Sequence, residues 1–509
     1  MSFKSSFRNP HSFGFVSRFK MQLTALTLVL ELLLLPLLVA GQLSGKVGPS
    51  TTVATKQAKL VCDVTNYGAV ASATSDLGPA LTKAFTACKA GGLIVIPAGD
   101  YGLATWVTLK GGSGWALQWD GIIYRTGTAG GNMILITGAD DVEVFSSTGL
   151  GAFQGYGYKI GKATGPRILR IVKTTNFSVH DLALVDAPAF HFSIDTCTNG
   201  EIYNMAIRGR NLGGLDGLDI WSNNIWVHDV MVTNKDECVT VKSPSKNILI
   251  ENIYCNWSGG CAFGSLGVNT AISDVIYRNV YTVHSNQMMM IKSNGGSGYT
   301  KNILLENFIG HANAYSLDYD QQWSSMSALA GSGVQLSNIT AKGWRGTAAN
   351  GAQRGPVKVN CAAGAPCTDI TISDFSMWTD KGSTLVNTCA NAYGTGQCLK
   401  SGTGSGYSAA KTTVSAMPAD YSAPTLPDDL ADSFGTASLI PIPTIPASFY
   451  PGIAPITPLA NGGDDVAAAT QPPQATQATQ ASQASQAPQA TNNAAVKCKL
   501  KLRRRHFDA

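Results

Sequence analysis

Charge is scarce in this sequence: Asp, Glu, Lys and Arg make up 14% of 509 residues, whereas 44% are apolar. That scarcity excludes a disordered chain or a wrapper of nucleic acid, and it leaves material for a large core. The formal charge of +5 does not restore a nucleic-acid partner. The end from Lys497 holds six Lys/Arg and one Asp (+5) and the leader to Gly41 holds four and one (+3), so taking both from +5 leaves −3 for the middle. CxxC pairs and Cys/His clusters are missing as well, which argues against structural zinc, and no metal or other cofactor is expected.

The longest apolar run, Leu23 to Gly41, follows Lys20 and ends in small residues, the layout of a secretory signal cleaved near Ala40 or Gly41. Glu31 and Pro36 interrupt it and no stop-transfer charges follow, so no membrane association is expected once residues 1–41 are removed. A secreted, extracellular, monomeric protein is the expectation. Eleven Cys suit that compartment, and the odd number leaves one without an internal partner. Spacing favours short loops pairing Cys62 with Cys88, Cys238 with Cys255, Cys361 with Cys367 and Cys389 with Cys398. Sequons at Asn176, Asn256 and Asn338 permit N-glycosylation where exposed.

What is present is a repeat. NFSVHDLAL from Asn176, NGEIYNMAI from Asn199, NIWVHDVMV from Asn224 and NILIENIYC from Asn247 share an anchor, an aliphatic residue three places on, Asp or Asn at five and an apolar residue at six. The pattern continues from Asp274, Asn302, Gly333 and Asp369, with Asn279, Asn307, Asn338 and Asp374 in the fifth place. Period-two alternation and β-branched residues disfavour a helical solenoid, and spacings of 22–28 residues over the first six copies suit one coil of a parallel β-helix. The recurring Asn or Asp would bond the same turn one coil away, which would make the Asn338 sequon a false one. SDLGPALTKAFTAC, with Ser75 or Asp76 as N-cap and Ala80, Leu81, Ala84, Phe85 and Cys88 on one face, reads as the helix that plugs the first coil. The stacked domain is expected to span 42–460. Within it, the Pro-rich chain of 401–460 is expected along the outside of the stack, and the Gln/Ala/Thr/Ser-rich tail 461–509 reads as low-complexity.

Acidic residues are few, yet Asp216 and Asp219 fall in one coil and Asp236 and Glu237 in the next. Coils ~4.8 Å apart would let these carboxyls face one cleft. Strand parity sends Asp219 away from Asp216 unless Gly217 bends the chain. Clustered like charges raise a carboxyl pKa, as a general acid requires, and inverting glycosidases place acid and base ~6.5–9.5 Å apart.

From about Val61 to Gln322 the chain resembles glycoside hydrolase family 28, the polygalacturonase-like enzymes, and within it the rhamnogalacturonan hydrolases. The motifs carrying the resemblance are Gly214-Leu215-Asp216 with Gly217-Leu218-Asp219-Ile220, then Asp236-Glu237-Cys238, Ser258-Gly259-Gly260 before Gly264-Ser265-Leu266-Gly267, and Met290-Ile291-Lys292. The resemblance implies an all-β, right-handed single-stranded parallel β-helix. It implies Asp236 as acid, with Asp216 and Glu237 activating water in an inverting reaction. Position 259 lacks the polygalacturonase His and position 290 the Arg, departures that fit an alternating galacturonate-rhamnose polymer, rhamnogalacturonan I, as the pectic partner. Lys292 would hold a galacturonate carboxylate, Trp323 would stack on a sugar, and His311, or His284, would stand in for the absent His. Endo action is expected. A polygalacturonase or an exo-acting relative is the alternative enzyme; a pectin-binding β-helix is the alternative without catalysis.

Overall fold

The computed structural model describes residues 42–461 apart from 350–354, 381, 383, 405 and 415; the leader 1–41 and the tail from 462 lie outside the described residues. In the described chain 27 strands form one continuous sheet wound into a right-handed parallel β-helix. Strand pairs are parallel along the stack, and the last, Leu385–Ala390 with Ala410–Val414, is antiparallel.

Long and short strands alternate in the middle of the stack: Leu218–Thr233, Glu237–Val241, Ser245–Asn256, Gly260–Leu266, Thr270–Val283, Met289–Ser293, Gly298–Asn313 and Leu317–Asp320. From Glu237 onward long strands pair with long and short with short, and the first residues of Leu218–Thr233 extend the short-strand face by pairing with Glu237–Val241. The long strands turn two corners. Asn224 and Asp229, Asn247 and Asn252, Asp274 and Asn279, and Asn302 and Asn307 hold φ between +54° and +62°. A left-handed backbone costs most L-residues ~1–2 kcal/mol, a cost Asn and Asp reduce with short polar side chains that bond locally. The spacing of five in the repeat is therefore the length of one flat face between two corners. Side-chain ladders run along both. Asn252 donates to Asp229 (3.0 Å), Asn279 to Asn252 (3.0 Å) and Asn307 to Asn279 (2.6 Å), while Asn199 donates to Asn176 (2.9 Å) and Asn224 to Asn199 (2.8 Å).

The seventh copy needs a correction. Asn338 donates to Asn302 at 3.0 Å and aligns with it in register, so it is the anchor rather than the fifth residue. Gly343, at φ +72°, takes the fifth place. A glycine meets the same backbone demand without a side chain, which is why a pattern written for Asn and Asp slipped by five residues here.

Between corners the aliphatic side chains point inward and stack by kind: Ile248, Ile250 and Ile253 lie in register with Val275, Tyr277 and Val280, and these with Ile303, Leu305 and Phe308, all at most 3% exposed. Two short helices, α1 (Val53–Lys59) and α2 (Gly78–Cys88), lie at the amino-terminal end. α2 buries Ala80, Leu81, Ala84, Phe85 and Cys88 in the core. Its N-cap position is Leu77, with no side-chain cap, and Asp76 instead accepts from the N–H groups of Gly78, Ala104 and Thr105. Four disulfides join Cys62–Cys88, Cys238–Cys255, Cys361–Cys367 and Cys389–Cys398, and Cys197 and Cys261 are buried free thiols.

Beyond 420 the chain runs back along the outside. Leu426, Ile440, Ile445, Phe449, Tyr450 and Leu459 cover an outer apolar row that includes Val185, Met231, Tyr254 and Tyr281. Asp429 accepts from the hydroxyls of Tyr254 (2.6 Å) and Tyr281 (2.7 Å), and the N–H groups of Ile456 and Ala460 donate to Asp229 (2.8 Å) and Asp181 (3.0 Å).

Candidate active site

The short-strand face carries the clustered acids. Asp219, second residue of strand Leu218–Thr233, pairs in register with Thr240, while Asp236 precedes and Glu237 opens the next short strand. One carboxylate oxygen from each of Asp216, Asp236 and Glu237 lies within 4.8 Å of the others. Asp219 joins this side after all, because Lys242 Nζ bridges Asp216 Oδ2 and Asp219 Oδ1 at 3.3 Å each. Gly217 makes the approach possible: a Cβ there would meet the Cys238 carbonyl at 2.5 Å.

Burial grades the four acids. Asp219 is fully buried, Asp216 and Glu237 nearly so, and Asp236 is half-buried. Burial, then repulsion from Asp236, raises the Asp216 pKa against the pull of Lys242 and Lys292. Burial, then Asp216, raises Asp219 well above the ordinary carboxylate range. Lys242 would be lowered by its own burial, but the two carboxylates outweigh this and its pKa is raised. On the other side Lys292 pairs with Glu237, and its Nζ lies 4.7 Å from the Trp323 ring centroid. The three carboxylates are close enough to hold a cation, though the two ammonium groups already hold Asp216 and Glu237.

The backbone fixes Asp236 tightly. Gly214 N–H donates to its Oδ2 and Glu237 N–H to its Oδ1 (3.0 Å). Buried Asn234 donates to the carbonyls of Leu215 (2.8 Å) and Glu237 (3.0 Å) and accepts from Ser258 (2.7 Å), tying the two acid-bearing turns together. Gly259 packs against this turn so closely that a Cβ would meet the Asp236 carbonyl carbon at 2.4 Å. No side chain, and so no His, fits there on this backbone.

Other sequence-read residues lie elsewhere. His311, read as the replacement His, instead meets the Pro424 carbonyl at 2.6 Å and the edge of Tyr281, and burial lowers its pKa. Its ring is held by the returning carboxyl-terminal chain, which the repeat pattern could not foretell. His284 stacks on Trp257, 4.6 Å between centroids. Among the sequons, Asn256 is fully buried and donates to Tyr254 and Asp428, leaving no room for a glycan. Asn176 and Asn338 spend their amides on the corner ladder.

Sequence reading missed Lys242 and the next acids along the groove. In LDYD, Leu317 and Tyr319 enter the core while Asp318 and Asp320 alternate with them, in register with Met290 and Lys292. Asp320 stands in register with Lys292, and Lys358 pairs with Asp320 at 2.5 Å. The alternation of apolar and charged residues was the available signal.

The glycosyl hydrolases family 28 model matches residues 93–398 of this chain. Rhamnogalacturonase A of Emericella nidulans is 61% identical over 87% of this chain and 88% of its own length. Rhamnogalacturonase A of Aspergillus aculeatus is 62% identical over 84% and 97%. Among solved structures, endo-xylogalacturonan hydrolase from Aspergillus tubingensis superposes with a TM-score of 0.55 at 21% identity, over 69% of this chain and all of that one. The exopolygalacturonase from Thermotoga maritima gives 0.55 at 15% identity over 74% and 97%. At such identities the two structures bear on the fold alone.

Proposed function

Since the chain belongs to family 28 of the glycosyl hydrolases and is a glycoside hydrolase, we propose that it hydrolyses galacturonate-rhamnose linkages within the rhamnogalacturonan I backbone, as a secreted enzyme. The observation that carries the chemistry is the approach of Asp216, Asp236 and Glu237 within 4.8 Å on one groove face. Asp236, the most exposed of them, protonates the glycosidic oxygen. Asp216 and Glu237, each held by a lysine, take the proton from the attacking water, and the bond forms at the anomeric carbon as the leaving oxygen departs.

The substrate reading rests on what position 259 forbids and on the relatives. A polymer bearing a carboxylate on every sugar rewards an array of cations, whereas Met290 stands where an Arg would serve it. Four disulfides suit an extracellular enzyme. Purified protein is expected to shorten debranched rhamnogalacturonan rapidly into mixed oligomers while leaving polygalacturonate intact; the reverse preference would make it a polygalacturonase, and release of single end residues would make it exo-acting.

Retention is the other stereochemical outcome, in which one carboxylate attacks the sugar directly. With three carboxyls available, a water gripped between Asp216 and Glu237 still meets the requirement for inversion. Proton NMR of the first-formed product decides: a β-anomer of galacturonate fits inversion, an α-anomer retention.

A further inference from the structure

Beside the catalytic face the stack carries a second groove, of about 360 Å³, within the ~300–1,000 Å³ of small-ligand sites. Its floor exists because successive coils place small residues there: Cys197, Ser222, Ser245 and Ala271. Their polar groups are locked into the stack, since Cys197 N–H donates to Ser222 Oγ and Ser222 N–H to Ser245 Oγ, both at 3.1 Å. Two aromatic rings line the groove, Trp221 and the 40% exposed Tyr299. Counting coils by register, Trp221 and Tyr299 stand three rungs apart, about 14 Å along the axis at ~4.8 Å per rung. That length suits an oligosaccharide rather than one sugar.

Trp221 also borders the catalytic cluster, because the Lys242 ammonium that grips Asp216 and Asp219 lies 5.9 Å from its ring centroid. This indole thus lines the groove and lies next to the lysine of the carboxylate cluster. Of the nearby charges, Asp195 is already matched by Arg170 at 2.7 Å and Thr196 at 2.7 Å, Lys246 is exposed, and Lys301 covers one face of Tyr299 with its ammonium 4.7 Å from the ring centroid. Aromatic platforms over a floor of small side chains fit the apolar faces of neutral pyranose rings.

We infer that this groove binds a neutral oligosaccharide, the sugar branch carried by the same polymer whose backbone lies on the carboxylates. Neutral-glycan binding stands on the groove alone; its identity as a substrate branch rests on the function proposed above. The backbone sugar nearest Asp216 and Asp219 would direct its branch over Trp221 into the groove, so branched substrate gains contacts that debranched substrate lacks.

The test uses the whole protein with galactotriose as neutral probe and trigalacturonate as acidic comparator, binding being read by calorimetry and saturation-transfer NMR. Galactotriose is expected to bind saturably. Tyr299→Ala should weaken it about tenfold, equal to ~1.4 kcal/mol, and Asn223→Trp, which fills the groove from an exposed lining position, should remove it. Both variants should keep kcat/KM on debranched rhamnogalacturonan and lose about tenfold on a galactan-bearing form. Absence of saturable galactotriose binding, binding indifferent to both substitutions, or tighter trigalacturonate binding that the same substitutions abolish would overturn the inference. If wild-type protein cuts neither polymer, the proposed function fails while calorimetry with galactotriose still judges the groove.

Discussion

Replacing Lys242 with Met removes one ammonium from between two carboxylates while keeping the length of the side chain. Each contact, at 3.3 Å, is worth about 5 kcal/mol of Coulomb attraction at an effective dielectric near 20. Much of that offsets the desolvation of three buried charges, so the net loss on breaking such a pair is about 3–5 kcal/mol. The variant should therefore unfold at lower denaturant than wild type, by that free energy. The activity effect has a definite sign. Asp216 already has a raised pKa, and without Lys242 it rises further, so a larger fraction is protonated at mildly acid pH and cannot accept the proton of water. The acid limb of the kcat/KM profile moves to higher pH, with a loss of about tenfold to hundredfold at low pH that recovers as pH rises. Lys242→Arg should restore most of the profile. A Met variant with lowered stability and an unmoved acid limb would show that Lys242 only holds the fold, and the reasoning about Asp216 would be refuted.

Four other outcomes follow from the geometry. Asp236→Asn should cut kcat about 10²–10⁴-fold with unchanged circular dichroism, and near-normal turnover would remove it from the role of acid. Gly259→His, which imitates the polygalacturonase motif, should abolish rhamnogalacturonan cleavage without creating polygalacturonase activity, because the new Cβ strikes the Asp236 backbone; gain of polygalacturonate hydrolysis would contradict this. Cys238→Ala with Cys255→Ala removes a disulfide closing 17 residues and should lower unfolding free energy by about 3 kcal/mol, measured in urea. Burial pulls the pKa of His180 and His228 down, but the hydrogen-bonded Asp181 and Glu143, and Asp229 and Glu201, outweigh it and raise both. With the native pKa above the unfolded one of ~6.5, their stabilisation is complete below that pH and is lost as pH rises through the native value. Amide exchange at Ile456, whose N–H bonds Asp229, should accordingly speed up on that rise in wild type and not in His228→Gln.

The coil was legible because its demands are local and repeated. The two corners within each long strand require a left-handed backbone, are filled by Asn, Asp or Gly, and stand five residues apart, so the sequence displays that part of the cross-section directly. The acids were legible for a different reason: in a chain poor in charge, Asp216, Asp219, Asp236 and Glu237 stand out. Parity failed for Asp219 because Gly217 lies where the turn gives way to the strand, and parity is counted from the strand's start. Lys242 and Asp320 escaped notice because lysines and aspartates on a solvent face look the same in sequence as those on a groove. The role given to His311 was lost to a contact spanning 113 residues, made by a segment with no period to align it. What sequence conceals here is what non-repeating chain does to repeating chain.

The charge of the cluster links these observations to the reaction. Four carboxyls, if all ionised, face two ammonium groups in a setting that excludes most water, an excess of two negative charges that buried surroundings tolerate poorly. Burial, then Asp216, raises the pKa of the fully buried Asp219, the direction in which that excess acts. Lys242, 3.3 Å from both Asp216 and Asp219, opposes the rise at each. In the proposed roles the acid, Asp236, is held by the N–H groups of Gly214 and Glu237, whereas the bases, Asp216 and Glu237, are each held by a lysine. Substrate entering the groove displaces more water and sharpens both pairings, so the Lys242–Asp216 contact should matter more in the complex than in the free enzyme. Comparison of the acid limbs of kcat and kcat/KM in Lys242→Met gives that difference directly, and equal displacement of the two limbs would count against it.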